Sequence, residues 1–374
     1  MRVLIDYRPA LRERSGVGEY THQLVKALLS TVTRPLELTV FSSSWKDRLR
    51  PTADLAGAAS VDRRVPVRLL NLLWHRFDWP PAEALAGRRF DVTHSLHPLL
   101  LPARDAAQVI TIHDLNFLSH PERTRAEIRR DYPALARAHA QRADAVLVPS
   151  AFTATDVERQ LGVHRDRIAI CGPGAPEWAP RSASPASGYL LFFGTLEPRK
   201  NVGGLLDAYE RLLGGPFRLP ELVLAGKATA EAQGWLDRIA RAPLAGAVRH
   251  IGYVDPGDRQ ALYIGARMLV LPSFDEGFGL PVLEAMTVGV PVVAANRGSL
   301  PEVLGDAGPL VDPDRPDDIA AGIARLLQDE PYAAACVARG LSRASEFRWD
   351  RTAERVYDTY QQAIERRARK ARAS

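Results

Sequence analysis

Glu276 and Glu284 stand eight residues apart in SFDEGFGLPVLEAM, with Gly277, Gly279 and Pro281 between them. An ionised carboxylate accepts hydrogen bonds from two adjacent hydroxyls at once, so two carboxylates can hold two sugars, each by a vicinal diol. The flanking residues indicate where the pair lies. MLVLPS reads as a strand, FDEGFG as the loop that follows, and Pro281 suits the first turn of a helix PVLEAMTVG, where its missing N–H matters least. Glu276 then precedes the helix and Glu284 sits about one turn inside it. Such a helix start favours anions, and the glycines let a ligand approach the main chain closely. Taken alone, the two acids fit a simpler role equally well, as first-turn carboxylates favoured by the helix dipole.

Cations occur at a second helix start. In GTLEPRKN, Arg199 and Lys200 follow a strand and precede NVGGLLDAYERLL, where they oppose the dipole unless an anion is present. A diphosphate leaving group held by charge-assisted hydrogen bonds is the chemistry that fits. In RSGVGEY, Gly16 and Gly18 lie between the first strand and first helix, and their N–H groups suit a phosphate. The third glycine of a dinucleotide fingerprint is replaced by Thr21, which argues against a nicotinamide oxidoreductase. His113 ends a strand in TIHDL and is followed by Asp114, which by itself fits a turn cap. His94 and His97 in HSLHP have the spacing of a ligand pair without a third ligand, and are read, with Asp114, as cleft-lining residues on the acceptor side. Asp312-Pro-Asp314 has the DxD pattern of a cation site, but it precedes DDIAAGIARLL, so Asp314 or Asp317 is expected to cap that helix. No metal is expected, and neither is any other cofactor. The two cysteines, Cys171 and Cys336, suggest neither a disulfide framework nor a zinc site.

The elements that must position these residues alternate regularly. RVLID, LELTVF, FDVTHS, QVITIHD and AVLVPS read as buried parallel strands with helical segments such as EYTHQLVKALLS between them. Gly, Pro and Ser crowd together at 172–188 as in a linker, after which YLLFFG, ELVLAG, VRHIGYV, MLVLPS and VPVVAA repeat the pattern. The expectation is an α/β protein of two doubly wound parallel-sheet domains, 1–171 with 347–374 and 189–346, whose ligand lies at strand carboxyl ends in the cleft between them. At 374 residues, 46% hydrophobic and 25% charged, the chain has the length for two such domains. No run of eighteen apolar residues occurs, and MRVLIDYRPA reads as a strand rather than a signal peptide, which points to a cytoplasmic protein. The net charge of +5 suits anionic partners. No nucleic-acid signature accompanies it. Arg366, Arg367, Arg369, Lys370 and Arg372 at the C-terminus, with Trp74, Phe77 and Trp79 in LLNLLWHRFDWPP, allow either a solvated tail plus a buried helix or peripheral contact with an anionic membrane.

SFDEGFGLPVLEAM, the most specific element, together with GTLEPRKN, RSGVGEY, TIHDL and GSLPEVLGDAGPLVDP, resembles family 4 of the retaining glycosyltransferases over nearly the whole chain. The resemblance implies the GT-B fold of two Rossmann-like domains, a final helix returning to the first domain, a nucleotide-sugar donor and a glycan or lipid-linked glycan acceptor. Glu276 and Glu284 match the family's E-x7-E signature. By that likeness Glu276 and His113 orient the sugar, Lys200 and Arg199 stabilise the leaving diphosphate, and Glu284 binds the ribose. Gly277, Phe278, Gly279 and Leu280 line the donor, and Tyr253 and Val254 are base-site candidates. Thr195 stands where some members carry a further arginine, so a lighter phosphate clamp is implied. The EPRKN form is most similar to mannosyltransferases of bacterial polysaccharide assembly, which places GDP-mannose first and UDP-glucose behind it. A nucleotide-sugar epimerase, or a non-catalytic sugar-nucleotide-binding subunit, would share this architecture.

Overall fold

A computed structural model describes the chain except residues 12–13, 15, 51, 120–125, 186, 216 and 374, without side-chain description at 119, 126–131 and 373. Ser15 of the first glycine segment and Ala186 of the 172–188 segment therefore lie outside the described residues. The chain divides into two units, Met1–Gly174 with Arg348–Ser374, and Ala175–Phe347.

The first unit holds β1 (Arg2–Asp6), β2 (Glu37–Ser43), β3 (Ala59–Arg63), β4 (Val92–Ser95), β5 (Ala107–Thr111), β6 (Ala145–Val148) and β7 (Ile168–Ile170). They form a parallel sheet in the order β3-β2-β1-β4-β5-β6-β7. The sequence reading omits β3 and β7. Both are edge strands, and neither buries a complete face, so the apolar run that marks a central parallel strand is missing. Side chains alternate between the sheet faces. Val3, Ile5 and Val40 pack against Leu24 and Leu28 of the helix Val17–Thr31, and against Val356 and Tyr360 of the final helix Trp349–Ala373. Leu4 and Phe41 pack on the opposite face, against Leu70 and Trp74 of the helix Val67–Phe77.

The second unit holds β8 (Tyr189–Phe193), β9 (Leu222–Ala225), β10 (Val248–Gly252), β11 (Ala266–Leu271), β12 (Val292–Ala295) and β13 (Leu310–Val311), parallel in the order β10-β9-β8-β11-β12-β13. The segment expected as a linker differs from that reading after its first three residues. Ala175 onward belongs to this unit: Trp178 lies 5.9 Å from the Tyr263 ring, and the Arg181 main-chain N–H donates to the Val288 carbonyl at 3.1 Å. Proline and serine mark it as irregular, but its residues find partners on the helix Arg259–Ile264 and at the end of the helix Leu280–Thr287.

Strand order reverses between β1 and β4 in the first unit and between β8 and β11 in the second. In open α/β sheets ligands bind outside the strand carboxyl ends at such reversals.

Candidate active site

β8 and β11 deliver their carboxyl ends side by side, and the two loops that leave them carry the charged groups. After β8 the chain passes Gly194 and forms a short turn, Pro198–Lys200, with Lys200 buried. Asn201 follows in the left-handed region at φ 56°, where its Oδ1 accepts from the Gly204 N–H at 3.2 Å and starts the helix Val202–Leu212. Asparagine tolerates that conformation better than most residues. After β11, Ser273 to Glu276 turn back over this loop, and the Phe274 N–H donates to the Arg199 carbonyl at 2.9 Å.

Glu276 is the centre of the cluster. Lys200 Nζ donates to its Oε1 at 2.5 Å, Ser273 Oγ donates to the same oxygen at 2.8 Å, and Arg199 Nη1 donates to Oε2 at 3.2 Å. Arg199 also donates to the Asp275 carbonyl and, at 2.9 Å, to Glu197 Oε1. Burial pushes the Glu276 carboxyl upward, but Lys200 and Arg199 outweigh it and hold the group below the usual carboxylate range. Burial, helped by Arg199, lowers Lys200 against the pull of Glu276. The result is two buried or nearly buried cations held by two carboxylates, Glu276 and Glu197, a charge-balanced cluster whose lysine and arginine donors suit an anion that competes with Glu276 for them. Sequence reasoning separated these roles, with Glu276 for the sugar and the cations for phosphate. The structure joins them in one ion cluster.

Behind Glu276, the Ser299 Oγ and N–H both donate to its carbonyl, at 2.8 and 3.1 Å. Gly298 has φ +60°, and a Cβ there would meet the Glu276 main chain at 2.8 Å. The glycine of GSLPEV is thus required by close approach. Neither the support given by Ser299 nor the bond from Ser273 was read from the sequence, since each depends on loops brought together by the sheet.

Glu284 lies inside the helix Leu280–Thr287, as expected, and is buried. Tyr263 Oη donates to its Oε2 at 2.7 Å, and Arg259 Nη1 lies 3.7 Å from Oε1. Arg259 and Tyr263 are four residues apart on the helix Arg259–Ile264, so both reach the same carboxylate. That i, i+4 spacing was the sequence signal for this pair, and it was missed. Gly279 begins the Glu284 helix at φ 99°, a left-handed value that favours glycine. The Phe278 ring packs edge-on to Phe347 at 5.6 Å and belongs to the core, so a donor would meet this residue through its main chain. Leu280 and Val254 are likewise partly buried against that core, whereas Tyr253 carries Lys227 Nζ 5.9 Å above its ring.

In the first unit, Gly16 precedes the helix Val17–Thr31 with φ 48°. Gly18, expected in the loop, is already within the first helical turn and buried. His113 lies two residues beyond β5, with Tyr20 edge-on to its ring at 5.0 Å. Burial pulls its pKa down to about 4 against Asp114 and a Leu96 main-chain hydrogen bond, so it is neutral at pH 7. Its Nε2 is buried without a hydrogen-bond partner among the described residues, the condition a ligand hydroxyl would relieve. Asp114 closes a turn by accepting from the Asn116 N–H at 3.1 Å.

His94 is a correction to the sequence reading. It has no exposed surface, and its two ring nitrogens lie 2.7 Å from Tyr360 Oη and 2.8 Å from Thr111 Oγ1. It joins the final helix to the sheet and cannot touch an acceptor. Burial lowers its pKa to about 3. His97 is part-exposed, 3.4 Å from the buried Asp6 carboxylate, which also accepts from Arg8 Nε at 2.8 Å. The expected helix caps at Asp314 and Asp317 are not formed either. Arg297 lies between Asp312 and Asp314, Asp317 pairs with Arg211, and Asp318 accepts from the Asp312 N–H.

Comparison with known proteins follows the same division. Residues 14–176 match the family described as Glycosyltransferase Family 4, and residues 177–343 match Glycosyl transferases group 1. O-antigen chain mannosyltransferase B of Escherichia coli is 33% identical over 96% of this chain and 99% of its own. Sucrose-phosphate synthase from Thermosynechococcus elongatus superimposes with a TM-score of 0.79 at 20% identity, covering 97% of this chain and 98% of that one. HepE of Anabaena, solved with UDP and glucose, gives a TM-score of 0.71 at 18% identity over 96% and 99%. With both units matched in order and both built on Rossmann-like parallel sheets, the chain belongs to the family 4 glycosyltransferases of GT-B fold.

Proposed function

We propose that this glycosyltransferase moves a mannosyl residue from GDP-mannose to a hydroxyl of a glycan or lipid-linked glycan, retaining anomeric configuration and using no metal ion. The observation that carries the reading is the Lys200–Glu276–Arg199 cluster at the β8 and β11 carboxyl ends, which offers two adjacent cationic donors to a departing diphosphate. The identity with O-antigen chain mannosyltransferase B supports mannose as the sugar and a growing surface glycan as the acceptor. The place of action that fits is the cytoplasmic face of the cell membrane.

In the proposed reaction the bond from the anomeric carbon to the diphosphate oxygen breaks, and the acceptor oxygen attacks from the same face. The departing phosphate oxygen takes the acceptor's proton. Lys200 and Arg199 neutralise the charge that builds on the diphosphate, while Glu276 stabilises positive charge developing at the sugar. Glu284, held by Tyr263 and Arg259, accepts from the ribose hydroxyls. In the first unit, His113 supplies a neutral ring nitrogen to a sugar hydroxyl.

The test has two parts. GDP and UDP at about a hundredfold their dissociation constants should stabilise the protein by roughly 2.7 kcal/mol, with GDP effective at the lower concentration. Incubation with GDP-mannose and mannose-terminated oligosaccharides should then give a product with the donor's anomeric configuration by NMR. Preference for UDP, or transfer only from UDP-glucose, would overturn the donor assignment.

A further inference from the structure

The helix Val67–Phe77 plays no part in the site above, and only one side of it is covered. Leu70 and Trp74 pack into the sheet, yet the outward side is apolar as well. Leu69 is 49% exposed, Leu72 54%, Phe77 64% and Trp79, just beyond the helix, 60%. A helix on a globular unit ordinarily turns polar residues to solvent, and a contiguous apolar patch marks an interaction surface. Arg68 and Arg76 are exposed on the same outward side. Between Arg63 and Pro81 there are four arginines and a single carboxylate, Asp78, which is paired with Arg142 at 2.9 Å.

The patch continues past the helix start. The Ser44 N–H donates to the Arg63 carbonyl at 3.2 Å and Ser43 Oγ donates to that of Val65 at 2.9 Å. These bonds tie the end of β2 to the segment that leads into the helix, and the next two residues, Trp45 at 69% and Lys46, are exposed. Exposed leucines, aromatic residues at both ends and unopposed cations are the composition that suits the boundary between lipid headgroups and acyl chains.

We propose that this face of the first unit docks on an anionic lipid bilayer, with Leu69, Leu72, Phe77 and Trp79 entering the interface and Arg68 and Arg76 meeting the headgroups. A second copy of the chain fits less well, because a self-complementary contact would bring the same arginines together, and protein interfaces exclude charge from their centres. The basic C-terminus is not the anchor. Arg366 and Arg367 donate to the carbonyls of Asp144 and Arg104, Lys370 is 2.8 Å from Asp144 Oδ1, and that helix covers the other face of the sheet.

Sedimentation with vesicles tests this without any donor or acceptor, so its outcome is independent of the proposed reaction. The full chain is mixed with vesicles of phosphatidylcholine alone or containing about a quarter phosphatidylglycerol. Binding should require the anionic lipid and weaken as salt rises. Arg68→Gln with Arg76→Gln should lower partitioning roughly twenty-five-fold, at about fivefold for each charge lost near the surface. Leu72→Ser with Phe77→Ser should lower it at least tenfold, whereas Arg369→Gln with Arg372→Gln should leave it within twofold. All the substituted side chains are exposed, and an unchanged thermal melt confirms folding. Equal binding to neutral vesicles, or loss only in the C-terminal variant, would overturn the proposal. So would a concentration-dependent dimer abolished by Leu72→Ser and Phe77→Ser without any vesicle binding by the parent.

Discussion

Replacing Glu276 by Gln removes the one carboxylate that Lys200 and Arg199 share, while keeping the shape of the side chain. In the unliganded protein this leaves Lys200, already buried, next to Arg199 without its anion at 2.5 Å. Breaking a buried ion pair by neutralising one partner costs about 3–5 kcal/mol. For a unit of this size each kcal/mol is worth about 2–4 °C, so the melting temperature should fall by roughly 6–20 °C. Glu276 also competes with any anion for the same two cations. The variant should therefore bind a nucleoside diphosphate more tightly, by about tenfold if roughly 1.4 kcal/mol of the freed hydrogen bonding is recovered. Turnover should move the opposite way, falling roughly a hundredfold or more as charge stabilisation at the sugar is lost. Calorimetry with GDP and UDP, thermal melts with and without nucleotide, and turnover at saturating donor separate the three effects. Weaker nucleotide binding in the variant, at unchanged stability, would refute the view that this carboxylate holds the phosphate cations in the resting state.

Tyr263→Phe removes a buried hydroxyl that donates to Glu284 at 2.7 Å without opening a cavity, and should cost about 1.5–3 kcal/mol in urea unfolding. Glu284→Gln should weaken nucleotide binding about tenfold by calorimetry, and unchanged affinity would remove the ribose assignment. His94 has a folded pKa of about 3, below the ordinary 6.5, so the unfolded chain binds the extra proton between these values. Stability should therefore fall as pH drops below about 6.5 and continue falling to about 3, by about 2 kcal/mol at a pH of about 5. Urea melts of the parent and His94→Gln at pH values of about 7 and 5 check this, the variant showing the shallower decline. Transferase activity should persist in EDTA, and recovery by Mn²⁺ or Mg²⁺ after loss would make Asp312 and Asp314 ligands after all.

Much of the fold was legible in the sequence because central parallel strands are buried on both faces and so read as continuous apolar runs. β1, β6, β8, β9, β11 and β12 all follow that pattern. The polar edge strand β3, the short edge strands β7 and β13, and the place where the 172–188 segment joins the second unit were not legible. Their identity comes from what they pack against rather than from their own residues.

The site divides in the same way. Residue type and spacing drew attention to Glu276, Glu284, Arg199 and Lys200, because a loop of glycines before a proline-started helix, or two cations at a helix start, carries its chemistry within a few residues, whereas the family resemblance gave the glutamates their sugar-binding roles and singled out His113. Tertiary structure alone decided how they are engaged. It set Glu276 between Lys200 and Arg199 across two loops, placed Tyr263 on Glu284, and left the His113 Nε2 without a partner among the described residues. It also turned His94 from an acceptor contact into a link between β4 and the final helix, since Tyr360 lies 266 residues away in sequence and 2.7 Å away in space. Local pattern fixes which groups a loop offers, whereas burial and hydrogen bonding depend on neighbours that only the folded sheet brings together.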